Sequence, residues 1–158
     1  MLLVAAAALV AAVVLIWFQP QKLFIDTSVN EPAPAASGRN APGGGEGNVL
    51  ARGMFRSLAH HGTGDALLLT SGDSTIVRLE NLDVENGPDL RVYLSTAPSV
   101  ASAETFNDEF VDLGALKANM GNQNYAVPRG VDARDYRSVV VWCRRFSVGF
   151  AVAPLNRV

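Results

Sequence analysis

Residues 49–158 predict an all-β domain, a sandwich or partly open barrel of about 8–10 short strands, preceded by one N-terminal transmembrane helix. Three observations carry this reading. No helical period of useful length runs through Val49–Val158, short apolar runs alternate with Gly, Pro, Asn and Asp signals, and the first 18 residues carry no charge. Taken in order, Asp65–Thr70 (DALLLT) and Ser74–Glu80 (STIVRLE) flank Ser71-Gly72-Asp73, a hairpin turn. In the second run Thr75, Val77 and Leu79 face one way and Ile76, Arg78 and Glu80 the other, because side chains alternate along a strand. Asn86-Gly87-Pro88-Asp89 is a second turn, in which Gly supplies positive φ and Pro a fixed φ. Leu90–Ser95 (LRVYLS) follows as a strand, with Leu90, Val92 and Leu94 on one face. Residues 96–108 are polar and predict a surface excursion, with one helical turn over Ser102–Phe106. Val111–Leu116 and Tyr125–Val127 are short strands around a loop over Asn119–Asn124. Ser138–Ala153 is longer than most strands, so a break near Arg144-Arg145 is expected. Alternation there puts Val140, Trp142 and Arg144 on one face and Val139, Val141 and Cys143 on the other, with a cation–π contact expected for Arg144 between Trp142 and Phe146.

The chain divides into residues 1–20 as a membrane anchor, 21–48 as a juxtamembrane collar and linker, and 49–158 as the β domain. Met1–Phe18 (MLLVAAAALVAAVVLIWF) would span roughly 27 Å as a helix, just under the hydrocarbon thickness of a bilayer. Trp17 and Phe18 stand where interfacial aromatics sit, and Pro20 stops the helix. A cleaved signal peptide is the competing reading, but Trp-Phe-Gln-Pro after the apolar run is a poor cleavage site. An uncleaved signal anchor is therefore favoured. Lys22 on its C-terminal side would by itself favour a cytoplasmic domain. Glu31–Asn48 is rich in Ala, Gly and Pro, cannot bury enough apolar surface to order itself, and predicts a tether.

A formal net charge of −2 and scattered charges give no footprint for nucleic acid. One cysteine cannot form an internal disulfide. That residue, Cys143, is the sharpest chemical candidate. Cationic neighbours favour the thiolate, the form that acts as nucleophile and metal ligand, and Arg145 would share its side of the strand. Equally, free cysteine is among the most buried residue types. His60 is the second candidate, although His60 and His61 are adjacent and poorly placed for one metal. Copper would need two His, one Cys and a weak axial ligand. The inventory suffices, but no His or Met follows Cys143, so copper is disfavoured. Zinc spacing is absent. Haem held by Cys143 as thiolate is compatible with the inventory, and covalent c-type attachment is excluded because no Cys-x-x-Cys-His occurs. The Gly-Pro-Asp turn and the Gly121–Tyr125 loop could line a binding site, although such residues are also what tight turns require.

Several longer runs then narrow the reading. Leu79-Glu80-Asn81-Leu82, Asn86–Ser95 (NGPDLRVYLS), Asp112–Lys117 (DLGALK), Gly121–Pro128 (GNQNYAVP) and Tyr136–Phe146 (YRSVVVWCRRF) resemble, in order and spacing, the DM-thirteen domain, also called the electron-transfer DM-thirteen domain. Phe55, His60 and Gly64 are similar to that family's opening. The anchor followed by Trp17-Phe18-Gln19-Pro20 is similar to membrane-anchored actinobacterial-type members, whose domain lies outside the cytoplasm. The resemblance implies a redox role centred on the family's cysteine, here Cys143, either as a naked thiol or holding a prosthetic group, with a membrane or extracytoplasmic redox partner. The alternative is a tethered binding or structural module in which Cys143 is core.

Overall fold

The computed structural model describes residues 4–5, 9–14, 25–34, 48–98, 106 and 109–158. The strands are β1 Ser28–Asn30, β2 Asn48–Met54, β3 Arg56–Ser57, β4 Gly62–Ser71, β5 Ser74–Val84, β6 Leu90–Ser95, β7 Phe110–Ala115, β8 Met120–Ala126, β9 Ser138–Cys143, β10 Val148–Pro154 and β11 Asn156–Arg157. They form two sheets of order β1-β8-β5-β4-β2-β11 and β3-β10-β9-β6-β7, with no closed barrel. The sheets pack face to face. Ala51, Ala66, Leu68, Val77 and Leu79 come from the first, and Val92, Leu94, Val139, Val141, Cys143, Ala151 and Ala153 from the second.

β9 occupies the centre of its sheet, antiparallel to β10 and β6, and each of its residues is buried. Its inner face, Val139, Val141 and Cys143, joins the inter-sheet core. Its outer face, Val140 and Trp142, is covered by Tyr93, Phe106 and Val152. A strand buried on both sides reads as a continuous apolar run rather than as alternation, which is why Val-Val-Val-Trp-Cys is unbroken. The expected break is a turn over Arg144–Ser147, where Ser147 takes φ 51°. A β-bulge between Gly149 and Ala151 then turns two consecutive residues, Phe150 and Ala151, into the core. The β4–β5 hairpin and the faces of β5 follow the sequence pattern, and a turn precedes β6 as expected. Gly87 does not take the positive φ expected of it; close packing against Leu90 and Phe150 is what leaves no room for a side chain there.

Three features differ from the sequence reading. Asn119–Asn124, expected as a loop, is mostly β8. The collar contributes β1, a parallel edge strand on β8. Arg144 binds Asp89 in place of the cation–π contact, and the cation–π pair found among the described residues is Lys117 over Tyr125 at 5.1 Å. The expected transmembrane helix falls largely outside the described residues. Residues 4–5 and 9–14 are helical, and among the described residues no helix is long and apolar enough to cross a membrane. The helical turn expected over Ser102–Phe106 also lies outside them, Phe106 apart.

β1 is held by side chains more than by its short ladder. Arg78, on the outer face of β5 and almost fully buried, donates to Glu80 Oε1 (2.6 Å), Asn124 Oδ1 (2.9 Å) and the carbonyls of Glu31 (3.2 Å) and Pro32 (3.3 Å). A buried guanidinium without acceptors would be costly, so the segment after β1 completes its shell. Glu31 in turn accepts from Lys117 Nζ (2.6 and 2.9 Å) and from the Asn124 amide (2.7 Å). Gly121 permits the close approach. Its φ is +100°, and a Cβ there would lie 2.1 Å from the Val29 carbonyl oxygen.

The Lys117 hydrogen bond, opposed by burial and aided by the Asn124 amide, holds the Glu31 carboxyl below its ordinary value. A depressed folded pKa means a contribution that is complete above the ordinary carboxylate range and is lost as pH falls through the folded value. Amide-exchange protection of Val29 and Glu31, corrected for intrinsic rates, should therefore be lost as pH falls below the ordinary carboxylate range, while β9 stays protected. In Glu31→Gln the protection of this segment should be low at every pH. Unchanged protection in the variant would show that the carboxylate does not hold β1.

Candidate functional site

Cys143 closes β9, opposite Leu90 of β6 and Val148 of β10. It is 0 % exposed and carries a free thiol. Residues directly opposite in an antiparallel pair point to the same face, so the Leu90 and Cys143 side chains are neighbours in the core. The adjacent arginine does not reach into that layer. Arg144 belongs to the turn, where its amide donates to the Asp89 carbonyl (3.0 Å) and its Nε to Asp89 Oδ2 (2.9 Å).

Leu90 also walls a surface cleft of about 350 Å³, lined by Ile25, Thr27, Asn86–Leu90 and Ala115–Asn119. Two of the longest sequence motifs meet there, Asn-Gly-Pro-Asp-Leu from the β5–β6 turn and Ala-Leu-Lys from the β7–β8 connection. Their joint is the Leu116 amide donating to the Leu90 carbonyl at 2.8 Å. Gly87 has a steric reason. A Cβ there would lie 2.8 Å from Leu90 Cδ2 and 3.0 Å from Phe150 Cζ, so this turn sits directly on the core. Asn119, nearly buried, ties the rim together. Its Oδ1 accepts from the Thr27 amide (2.7 Å), and its Nδ2 donates to Asp26 Oδ1 (2.9 Å) and the Val84 carbonyl (3.2 Å).

A buried polar pair fixes the connection from behind. Tyr125 donates its hydroxyl to Gln123 Oε1 (2.7 Å) and accepts from the Lys117 amide (3.0 Å), while Gln123 Nε2 donates to the Ala118 carbonyl (2.7 Å). Burial pushes the Tyr125 hydroxyl up to about 12, so it stays a donor at any physiological pH. The cleft is therefore built from satisfied groups with an apolar lining, suited to a small ligand or an inserted side chain.

His60 packs on Phe150. Its ring stacks on Phe150 with centroids 3.9 Å apart, and Nδ1 is 2.6 Å from Glu85 Oε2. The two candidates named from the sequence are not brought together: no hydrogen bond joins His60 to Cys143. No group of three or more His, Cys, Asp or Glu among the described residues is arranged to hold a metal ion. Haem ligated by Cys143 does not fit this arrangement either, because the thiol is enclosed by core side chains and does not line the cleft.

Of the two stretches suspected of lining a site, Gly87-Pro88-Asp89 does so. Gly121–Tyr125 is strand, and its asparagines bind the β1 segment instead. Sequence reasoning missed Asn119 and the Asp89–Arg144 pair. Asn119 carried no local signal, since its partners lie more than 30 residues away.

A family model described as electron transfer DM13 matches residues 54–155. No curated protein and no solved structure matches the chain. The matched segment runs from the end of β2 to the residue after β10, so it takes in β3 to β10, Cys143 and the cleft lining apart from Ile25 and Thr27. The chain belongs to the electron transfer DM13 family.

Proposed function

We propose that this chain is a membrane-tethered, extracytoplasmic electron-transfer domain whose redox group is Cys143, reached through the cleft wall. The observation that carries the reading is the shared residue: Leu90, which walls the cleft, is the cross-strand partner of the chain's one cysteine. Family membership supports a role related to electron transfer. The uncharged run Met1–Phe18 and its similarity to anchored members support the tether and the location outside the cytoplasm.

Burial sets the mode of action. A fully enclosed thiol does not exchange with bulk oxidants, so its chemistry waits for Leu90 or the Arg144–Ser147 turn to move aside. With one cysteine in the chain, two-electron exchange takes place with another molecule. Cys143 gives its proton to solvent, its sulfur bonds to one sulfur of a partner disulfide, and the other sulfur leaves as a thiolate.

A second reading rests on the same burial: Cys143 is a core residue and the cleft is a binding site without redox chemistry. Full-length protein in its membrane, equilibrated in glutathione buffers of graded potential, separates the two. The redox reading predicts a glutathione adduct at Cys143 whose occupancy titrates with potential and is absent in Cys143→Ala. A chain that stays unmodified at every potential while folded would contradict it. The core reading predicts that Cys143→Ala costs about 1–3 kcal/mol and changes nothing else. Gly87→Ala should press on Leu90 and Phe150, lowering stability by about 1–3 kcal/mol and altering the rate of adduct formation; an unchanged rate would detach the cleft from the thiol.

A further inference from the structure

The cleft end of the sandwich carries more than the cleft. We propose that the surface made by Ile25, the Asn86–Asp89 turn and the Arg144–Ser147 turn is a membrane-contact surface that lies on the bilayer holding the chain's N-terminal apolar run. This rests on the tethered reading above.

Chain connectivity is the first argument. Residues 25–34 are part of the fold, because β1 pairs with β8 and its approach is pinned at several points. Asn86 Nδ2 donates to the Ile25 carbonyl and to Asp26 Oδ1 (both 3.0 Å), and the Met120 amide donates to the Thr27 carbonyl (3.1 Å). The Ala/Gly/Pro-rich stretch therefore connects β1 to β2 within one sheet and does not separate the domain from the apolar run. Only Gln19–Phe24 does that. Fully extended, these six residues reach at most about 22 Å. A domain of this size is wider than that. A bilayer embedding Met1–Phe18 is thus met by the end that carries Ile25.

The chemistry of that end is the second argument. Ile25 is 57 % and Phe146 61 % exposed. The Arg144–Asp89 bonds hold the Phe146 turn beside the Asn86–Asp89 turn, and Asn86 holds Ile25 against the same turn. Arg144, two positions before the exposed phenylalanine, is held by Asp89, and Lys117 at the cleft is held by Glu31, so the two exposed apolar side chains carry the match. The acids nearby are engaged: Asp89 by Arg144, Asp26 by Asn86 and Asn119, and Glu85 by His60. An exposed aromatic and an exposed aliphatic side chain held on adjoining turns match the interface, where such side chains sit at headgroup depth. The cleft then opens beside the headgroups.

The opposite end supplies the control. Asp73 and Gly130 lie together there, remote from Ile25. The test uses the full chain in Cys143→Ala background, reconstituted in phosphatidylcholine–phosphatidylglycerol vesicles. An environment-sensitive dye is attached at Phe146→Cys, at Arg145→Cys or at Asp73→Cys, with headgroup-spin-labelled lipid as quencher. We expect quenching several-fold stronger at 146 and 145 than at 73. Equal quenching, in chain that resists alkaline washing from the vesicles, overturns the contact surface and leaves the tether standing. Chain that washes off the vesicles overturns the tether, and the contact surface with it.

Discussion

The structure depends on one constraint: β9 is apolar from Val139 to Cys143 and must be covered on both faces. The inner face requires a second sheet, and Ala66, Leu68, Val77 and Leu79 provide it. The outer face requires a further cover, supplied by Tyr93, Phe106 and Val152 around Trp142. Ring stacking extends that cover, with Tyr93 lying 5.9 Å from Trp142 and 4.1 Å from Phe110, centroid to centroid. Because Cys143 ends this strand on the inner face, the packing that stabilises the sandwich also seals the thiol. The fold therefore governs access to the thiol.

Elements with local causes were legible in the sequence. The β4–β5 hairpin follows from a two-residue Gly72-Asp73 turn between alternating runs, and β6 from the Gly-Pro turn before it. The split of Ser138–Ala153 followed from its excess length and two arginines. Elements with distant causes were not legible. β1 is three mainly polar residues, stabilised by partners about 90 residues away. β8 looked like a loop because Gly and Asn form turns, yet Asn122 and Asn124 use their amides to bind Asn30 and Pro32, and Gly121 admits the Val29 carbonyl.

The candidate site divides in the same way. Cys143 stood out as the only cysteine, and alternation assigned its face correctly. Its complete burial was not legible, because that depends on what lies opposite. His60 also stood out, but its placement on Phe150 follows from the bulge in β10 that turns Phe150 inward. The cleft needed the topology, since it joins the β5–β6 turn, the β7–β8 connection and the strap before β1. The linker illustrates the limit of composition. Ala, Gly and Pro mark a segment without its own core, but only the docking of β1 shows that this segment closes a loop within a sheet.

The central claim is that Cys143 is sealed by the native core and exposed by local opening of the cleft wall. The most direct measurement is the rate of Cys143 labelling by a small thiol reagent in the folded full-length protein, followed through increasing but sub-denaturing urea. Local opening exposes little surface, so the account predicts labelling faster than global unfolding permits, with a rate nearly independent of urea at low concentration. Labelling whose urea dependence matches global unfolding throughout would contradict it, and would make Cys143 a core residue without redox access.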